Sequence, residues 1–329
     1  FKKSIKKLEK NGFIYITGQA IYFDISKFPN YTKLSGQKLE EEKLGARKEV
    51  VVDHDKKNPQ DFALWFFTVG RFVGHTMRWP SPWGEGFPGW HIECSAMAME
   101  YLGDTIDIHT GGIDHVKIHH TNEIAQSEAA TGKPFVKYWV HHNFLIVDGE
   151  KMSKSKKNIY RIEEIQEKSF DPLALRYLFL TAHYRDKLNF TWESLQASQN
   201  ALNNLREIVR DWDEPKIGCA QYEQDFMEAI NNDLNIPQAL AVLWDLVKSD
   251  YPTSAKSKTI LEMDKILGLK LDEYLGKPIE VPEEIMHLVR KREQARNTRD
   301  FKEADKLRKE IKKLGYTIED TPKGSKLKK

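Results

Sequence analysis

Between Thr105 and Val147 the chain carries one pattern that few folds satisfy. Thr105-Ile106-Asp107-Ile108-His109 reads as a buried strand, with Gly111-Gly112 as the turn behind it. A helix is predicted from about His119 to Thr131, and a second strand over Phe144-Leu145-Ile146-Val147, closed by Asp148-Gly149. Strand, glycine-rich turn, helix and strand make a βαβ unit, which implies a parallel sheet with a right-handed crossover. An α/β body is therefore expected in the first half of the chain.

The flanking segments divide by pattern. Residues 1–12 read as a short, basic, amphipathic helix, with Gly12 suited to the left-handed position after it. Phe13–Thr17 and Ala20–Asp24 are expected to form a hairpin about Gly18-Gln19, and 25–60 is polar, with loop punctuation at Pro29-Asn30 and Asn58-Pro59. Trp79 to Trp90 is so rich in Gly, Pro and Trp that a rigid aromatic loop is expected, feeding a helix from about His91 to Leu102. From Asp171 strand signals nearly vanish, and helical patterns run over 171–182, 193–211, 222–230, 236–250 and 255–267. Pro282 opens one more helix, with Glu283 and Glu284 in its first turn and Gly315 past its end. The tail from Lys323 to Lys329 is expected to be loose.

Charge is informative only when divided. The net charge of +2 conceals a segment from Pro282 to Lys329 with 15 Lys and Arg against 9 Asp and Glu. A basic terminal module on a mildly acidic body points to a polyanionic partner at that end. Cys94 and Cys219 give no disulfide framework, no stretch is apolar enough for a membrane span, and no signal peptide opens the chain. A cytoplasmic protein with no membrane partner is expected. The chain begins with Phe inside a helical pattern, so it reads as a piece of a longer protein.

Three constellations could carry chemistry. Lys151-Met152-Ser153-Lys154-Ser155 follows a strand and an Asp-Gly turn. Such a stretch is usually a solvated basic loop; here two lysines spaced by small residues could place cations on a leaving pyrophosphate, where charge builds in the transition state. Gly111-Gly112-Ile113-Asp114 lies at the mouth of a strand. It is either a plain tight turn or a place where a nucleotide approaches the backbone beside a carboxylate. Cys94, His119 and Glu123 form the third: His119 and Glu123 share a helix face, and thiolate, imidazole and carboxylate together suit Zn2+. Spacing alone favours an ordinary helix pair and a buried cysteine, and His120, three residues from Glu123, competes as a ligand.

These residues also carry a resemblance. The pentapeptide at 151–155 matches the signature loop of class I aminoacyl-tRNA synthetases. Gly89-Trp90-His91-Ile92-Glu93-Cys94-Ser95-Ala96-Met97 and His119-His120-Thr121-Asn122-Glu123-Ile124-Ala125-Gln126-Ser127, with that loop, resemble cysteinyl-tRNA synthetases over nearly the whole chain. The resemblance implies a partial Rossmann-type α/β catalytic core, an α-helical bundle and a small C-terminal tRNA-binding domain. Its segments would be a connecting insertion (1–60), the second half of the Rossmann-type domain (61–150), the Lys-rich loop and stem-contact region (151–192), the bundle (193–268) and a basic anticodon-binding domain (269–329). It implies ATP-dependent ligation of L-cysteine to tRNA-Cys through cysteinyl-adenylate, with ATP and Mg2+ as substrate. One zinc per chain, on Cys94, His119 and Glu123, would select the substrate thiolate. Trp90 and Asp114 match cysteine-binding positions, His109, Gly111 and Gly112 the ATP side, and Lys151 and Lys154 the catalytic lysines, Lys154 also touching ATP. A monomer is expected.

Two departures accompany the resemblance. The family's His-x-Gly-His type tetrapeptide and its further cysteine ligand do not occur in these 329 residues, so impaired activity and weaker zinc binding are expected of the chain as it stands. The family's usual glycine before Asn158 is Lys157 here, which is expected to stiffen the loop. A cysteine ligase acting on an amino sugar and a non-catalytic tRNA-binding module are the alternatives. The basic helix after Pro282 weighs against the first, and the intact Cys94/His119/Glu123 set against the second.

Overall fold

A computed structural model describes residues 1–37, 53–277, 281–321 and 324–328. The part of the expected polar loop over 38–52, and Lys323 and Lys329 of the expected loose tail, lie outside the described residues. The chain forms two compact units, Phe1–Phe144 with Tyr184–Asp186, and Leu145–His183 with Lys187–Lys329.

In the first unit, α1 (Lys2–Lys10) turns Ile5 and Leu8 into the core and ends before Gly12, which takes φ +79°. Strands β1 (Ile14–Ile16), β2 (Ala20–Phe23), β3 (Phe62–Phe67) and β4 (Gly86–Pro88) form one antiparallel sheet in that order. The stretch from Trp79 to Trp90 is therefore not wholly irregular. Its glycines permit the edge strand: a Cβ on Gly86 would lie 2.0 Å from the Phe66 carbonyl oxygen, and one on Gly89 2.0 Å from that of Ala63. Only glycine lets the backbones approach that closely.

Helix α2 (Trp90–Leu102) follows, then β5 (Ile106–Gly112), the short α3 (Ile113–Lys117), α4 (His119–Thr131) and β6 (Val136–His142). β5 and β6 run parallel, from Ile106 opposite Val136 to Gly112 opposite His142. This corrects two sequence expectations. The partner of the first strand is 136–142, not 144–147, and Gly111-Gly112 extends β5 rather than turning behind it. Val136, Tyr138 and Val140 do alternate with polar or aromatic neighbours, but the more apolar run at 145–147 outweighed that signal. Ile21, Phe23, Trp65 and Ile92 share one core with Ile5, Leu8 and Ala125 of α4.

The second unit opens with β7 (Leu145–Val147) and β8 (Glu150–Lys151), then α5 (Ile162–Glu167), α6 (Pro172–Leu180) and β9 (Leu188–Phe190). β7 pairs antiparallel with β8 and parallel with β9, around Val147, Ile165, Leu178 and Phe190. Asp171 caps α6 by accepting from Leu173 N at 2.8 Å, with Pro172 at its first position. Helices α7 (Trp192–Arg210), α8 (Ala220–Asn231), α9 (Ile236–Lys248) and α10 (Thr253–Leu267) then bury Leu202, Leu205, Leu243, Leu246, Ile260 and Leu267 against one another. Cys219 sits in that core, 3% exposed.

The terminal module also departs from expectation. The single helix after Pro282 is two, α11 (Glu283–Asn297) and α12 (Phe301–Lys313). Arg299 takes φ +63° between them, and Asp300 restarts the helix by accepting from Glu303 N at 3.1 Å. Apolar periodicity ran through this break because both helices face one core of Ile285, Val289, Ile311, Tyr316 and Ile318. The tail expected to be loose pairs instead: β10 (Thr317–Thr321) and β11 (Gly324–Lys328) form an antiparallel hairpin. Among the described residues no helix is long and apolar enough to cross a membrane.

Candidate metal and nucleotide site

The core contact between α2 and α4 brings three ligand types together. Cys94 stands on α2, while His119 and Glu123 stand four apart on α4 and so share a face. Their ligand atoms all lie within 4.8 Å of one another. Gln126 Nε2 ties the helices, donating to the His91 carbonyl and to Ser95 Oγ, each at 2.7 Å.

Glu123 is the informative member. Its side chain is 0% exposed, and among the described residues neither carboxylate oxygen has a hydrogen-bond partner of good geometry. Oε1 does lie 2.9 Å from His119 Nε2 and 3.7 Å from His109 Nε2. A buried carboxylate without hydrogen bonds is costly unless a cation compensates it. The donor set of sulfur, imidazole and carboxylate fits Zn2+. The Cys94 side chain, and after it Glu123, pushes the His119 imidazole up to about 9. On the other side of the ring, His119 Nδ1 is 2.8 Å from His91 Nδ1, and burial holds His91 down at about 3. A partner at the far ring nitrogen is how a metal-ligating histidine is usually oriented.

Sequence alone left His119 and His120 in competition. In the fold it is His119 that joins Cys94. His120 points to a second overlapping group, with His109 and again Glu123, and its Nδ1 is 2.7 Å from His141 Nε2. Six of the eleven histidines thus gather here: 91, 109, 115, 119, 120 and 141. His91, His115 and His141 were not picked out as site residues from the sequence. The only available signal was their frequency near the flagged positions, since His91 arrives by the packing of α2 on α4, His115 from α3 and His141 from β6 lying beside β5.

Gly111 and Gly112 serve this cluster. A Cβ on Gly111 would come within 2.5 Å of His120 Cε1 and 2.8 Å of His115 Nδ1, and one on Gly112 within 2.4 Å of Asp114 Oδ1. Asp114 is exposed in the first turn of α3. Trp90, 69% exposed at the start of α2, borders a cavity of about 370 Å³ that is also lined by Phe62, Phe87, Lys56, Arg71 and Glu93. Lys56 and Arg71 were not anticipated from the sequence.

The Lys-rich loop belongs to the second unit. Lys151 ends β8, and Lys154 is exposed. Asn158 spans the loop, accepting from Ser153 N at 2.8 Å through Oδ1 and donating to the Lys151 carbonyl at 3.3 Å through Nδ2. Lys157 takes φ +51°, the left-handed region that favours glycine.

Comparison with known proteins finds three matching family models. The model of the "tRNA synthetases class I (C) catalytic domain" matches residues 1–200, that of the "DALR domain" 225–250, and that of the "Cysteinyl-tRNA ligase anticodon binding domain" 280–326. Among similar proteins, cysteine–tRNA ligase 1 of Burkholderia lata is 45% identical, the match covering 98% of this chain and 68% of that one. The cysteine–tRNA ligases of Treponema denticola and Caldicellulosiruptor saccharolyticus are each 41% identical, covering 96% and 99% of this chain and 70% and 73% of theirs.

Proposed function

The chain belongs to the cysteinyl-tRNA synthetase family, a family of aminoacyl-tRNA ligases, and from that premise we propose how its own residues serve the reaction. L-Cysteine's carboxylate attacks the α-phosphorus of ATP and the bond to pyrophosphate breaks; the terminal ribose hydroxyl of tRNA-Cys then takes the cysteinyl group from the adenylate, and AMP leaves. Mg2+ accompanies ATP as part of the substrate.

Cys94, His119 and Glu123 would hold one Zn2+, which supplies a Lewis-acid centre with affinity for sulfur. His91 keeps the His119 ring turned toward Glu123. Trp90 walls the side where the amino acid sits. Asp114 is placed to receive an ammonium or a ribose hydroxyl. Gly111 and Gly112 make room for His115, His120 and Asp114 at the end of β5, and with His109 they would border the adenosine. Lys151 and Lys154 offer ammonium groups to the charge that grows on pyrophosphate, so they favour the transition state over the bound ground state.

Residues 61–150 would be the second half of a Rossmann-type domain, with β5, α4 and β6 as its βαβ unit. Residues 1–60 would be the connecting insertion, 151–192 the mobile-loop and stem-contact region, 193–268 the bundle and 269–329 the anticodon reader. The anticodon-domain match over 280–326 supports tRNA over an amino sugar as the acceptor.

The observation that carries this reading is the buried, unsatisfied Glu123 carboxylate beside Cys94 and His119. Calorimetric titration of the zinc-loaded chain with L-cysteine and L-serine tests it. Cysteine is expected to bind and serine not, with Cys94→Ser abolishing the difference; equal binding of both amino acids would refute it.

A further inference from the structure

We propose that the outer face of α1 is a docking surface for the phosphodiester backbone of RNA, separate from the terminal basic module; this rests on the family reading, which makes tRNA the partner. The helix carries Lys2, Lys3, Lys6, Lys7 and Lys10 within nine residues, and together with Pro82 they line one groove. At about 1.5 Å per residue, five ammonium groups occupy roughly 12 Å of helix.

Their partners, or lack of them, distinguish these lysines. Elsewhere in the first unit Lys33 pairs with Glu128, Lys133 with Asp104 and Lys137 with Asp107. Among the described residues none of the five on α1 has an ion pair or side-chain hydrogen bond. The nearby carboxylates are engaged elsewhere: Glu9 accepts from Trp83 Nε1 at 3.0 Å, and Asp104 accepts from Lys133 at 2.8 Å.

The arrangement works against the helix's own stability. Lys2 and Lys6, Lys3 and Lys7, and Lys6 and Lys10 are like charges four apart. Lys2 and Lys3 also stand in the first turn, where the helix dipole disfavours cations, and no acidic residue stands there to offset them. A polyanion laid along this face relieves all of these repulsions at once.

A basic amphipathic helix can also bind anionic membranes by burying its apolar side. That side is not available here, because Ile5 and Leu8 are 0% exposed within the unit's core. The exposed face offers charge without an apolar wedge, which suits a phosphate backbone.

The test measures binding of unfractionated tRNA to the full chain across a salt series. Lys3→Gln/Lys6→Gln/Lys7→Gln is compared with Lys133→Gln/Lys137→Gln, which removes paired lysines from the same unit. The α1 variant is expected to lower the steepness of log K against log salt by about 2 to 3 and affinity at 0.1 M salt by about tenfold or more. The control should change little, and Lys3→Arg/Lys6→Arg/Lys7→Arg should retain binding. Melting of the Gln variant at or above the parent temperature separates loss of charge from loss of fold. Steep binding by the parent with an unchanged slope in the α1 variant overturns the inference and leaves the tRNA reading intact. No tRNA binding by the parent overturns both. Lysine-dependent binding to phosphatidylserine vesicles as strong as to tRNA also overturns it.

Discussion

Glu123 Oε1 lies 2.9 Å from His119 Nε2, one helical turn away, and the carboxylate has no exposure to solvent. His91 approaches the other nitrogen of the same ring at 2.8 Å. The three residues form a line running from His91 through the His119 imidazole to a buried carboxylate.

Metal retention should follow that line. Cys94→Ser and Glu123→Gln are each expected to leave less than stoichiometric zinc after dialysis against a weak chelator. His91→Phe keeps an aromatic ring but removes the orienting contact, and about a 10- to 100-fold loss of zinc affinity is expected. Competition with a chromophoric chelator measures all three, and parent-like affinity in Cys94→Ser would exclude that residue as a ligand.

Gly86→Ala should be among the most damaging single-methyl additions in the chain. Its Cβ would sit 2.0 Å from a backbone oxygen of β3, where no side-chain rotation can relieve the clash. A loss of about 3 kcal/mol or more is expected, read from the urea midpoint. Gly132→Ala has open space about its Cβ but φ +72°, so it should cost only about 1 kcal/mol.

Lys157→Gly should stabilise the loop rather than only loosen it. Sequence comparison suggested that losing the family's glycine stiffens this segment. The fold adds that Lys157 occupies a left-handed conformation at φ +51°, which an L side chain adopts at a cost of about 1–2 kcal/mol. Glycine relieves that strain while adding unfolded-state entropy, so a net gain of up to about 1 kcal/mol is expected. Slower hydrogen exchange at Ser153, whose amide donates to Asn158, would report it, and faster exchange there would contradict it.

In the terminal module Arg292 grips Asp320 with two prongs, Nη1 and Nη2 each 2.9 Å from one carboxylate oxygen, and Arg296 joins from the side. The Arg292 hydrogen bond is the main reason the Asp320 carboxyl falls from its ordinary 3.8 to about 2. Its folded value lies below its unfolded one, so its contribution is present above about pH 4 and is lost as pH falls toward 2. Asp320→Asn should therefore destabilise the module at pH 6 and differ little from the parent near pH 2. The Asp320 side chain is 39% exposed, so solvent screening keeps the effect small. Parallel melting curves at the two pH values would decide it; a constant difference would refute the pairing's role.

Much of the site was legible because its spacing is local. His119 and Glu123 four apart on a helix must share a face, whatever surrounds them. The strand and helix signals at 106–109, 119–131 and 171–182 likewise depend on neighbours within a few residues. The halves of the basic module were visible too, but their break was not. Arg299 carries no sequence mark of a left-handed residue, and the same apolar period serves both helices because both face one core.

What the sequence by itself determined was the kind of element at most positions, the residue types of the candidate site and the family. What only the tertiary structure decided was which distant partners meet. β5 pairs with 136–142 and not with 144–147, and that ladder brings His141 to His120. Cys94 meets His119 rather than His120 because α2 docks on one side of α4. Periodicity follows from backbone geometry over a few residues. Pairing depends on hydrogen bonds and burial between residues some thirty positions apart, and no local pattern encodes that choice.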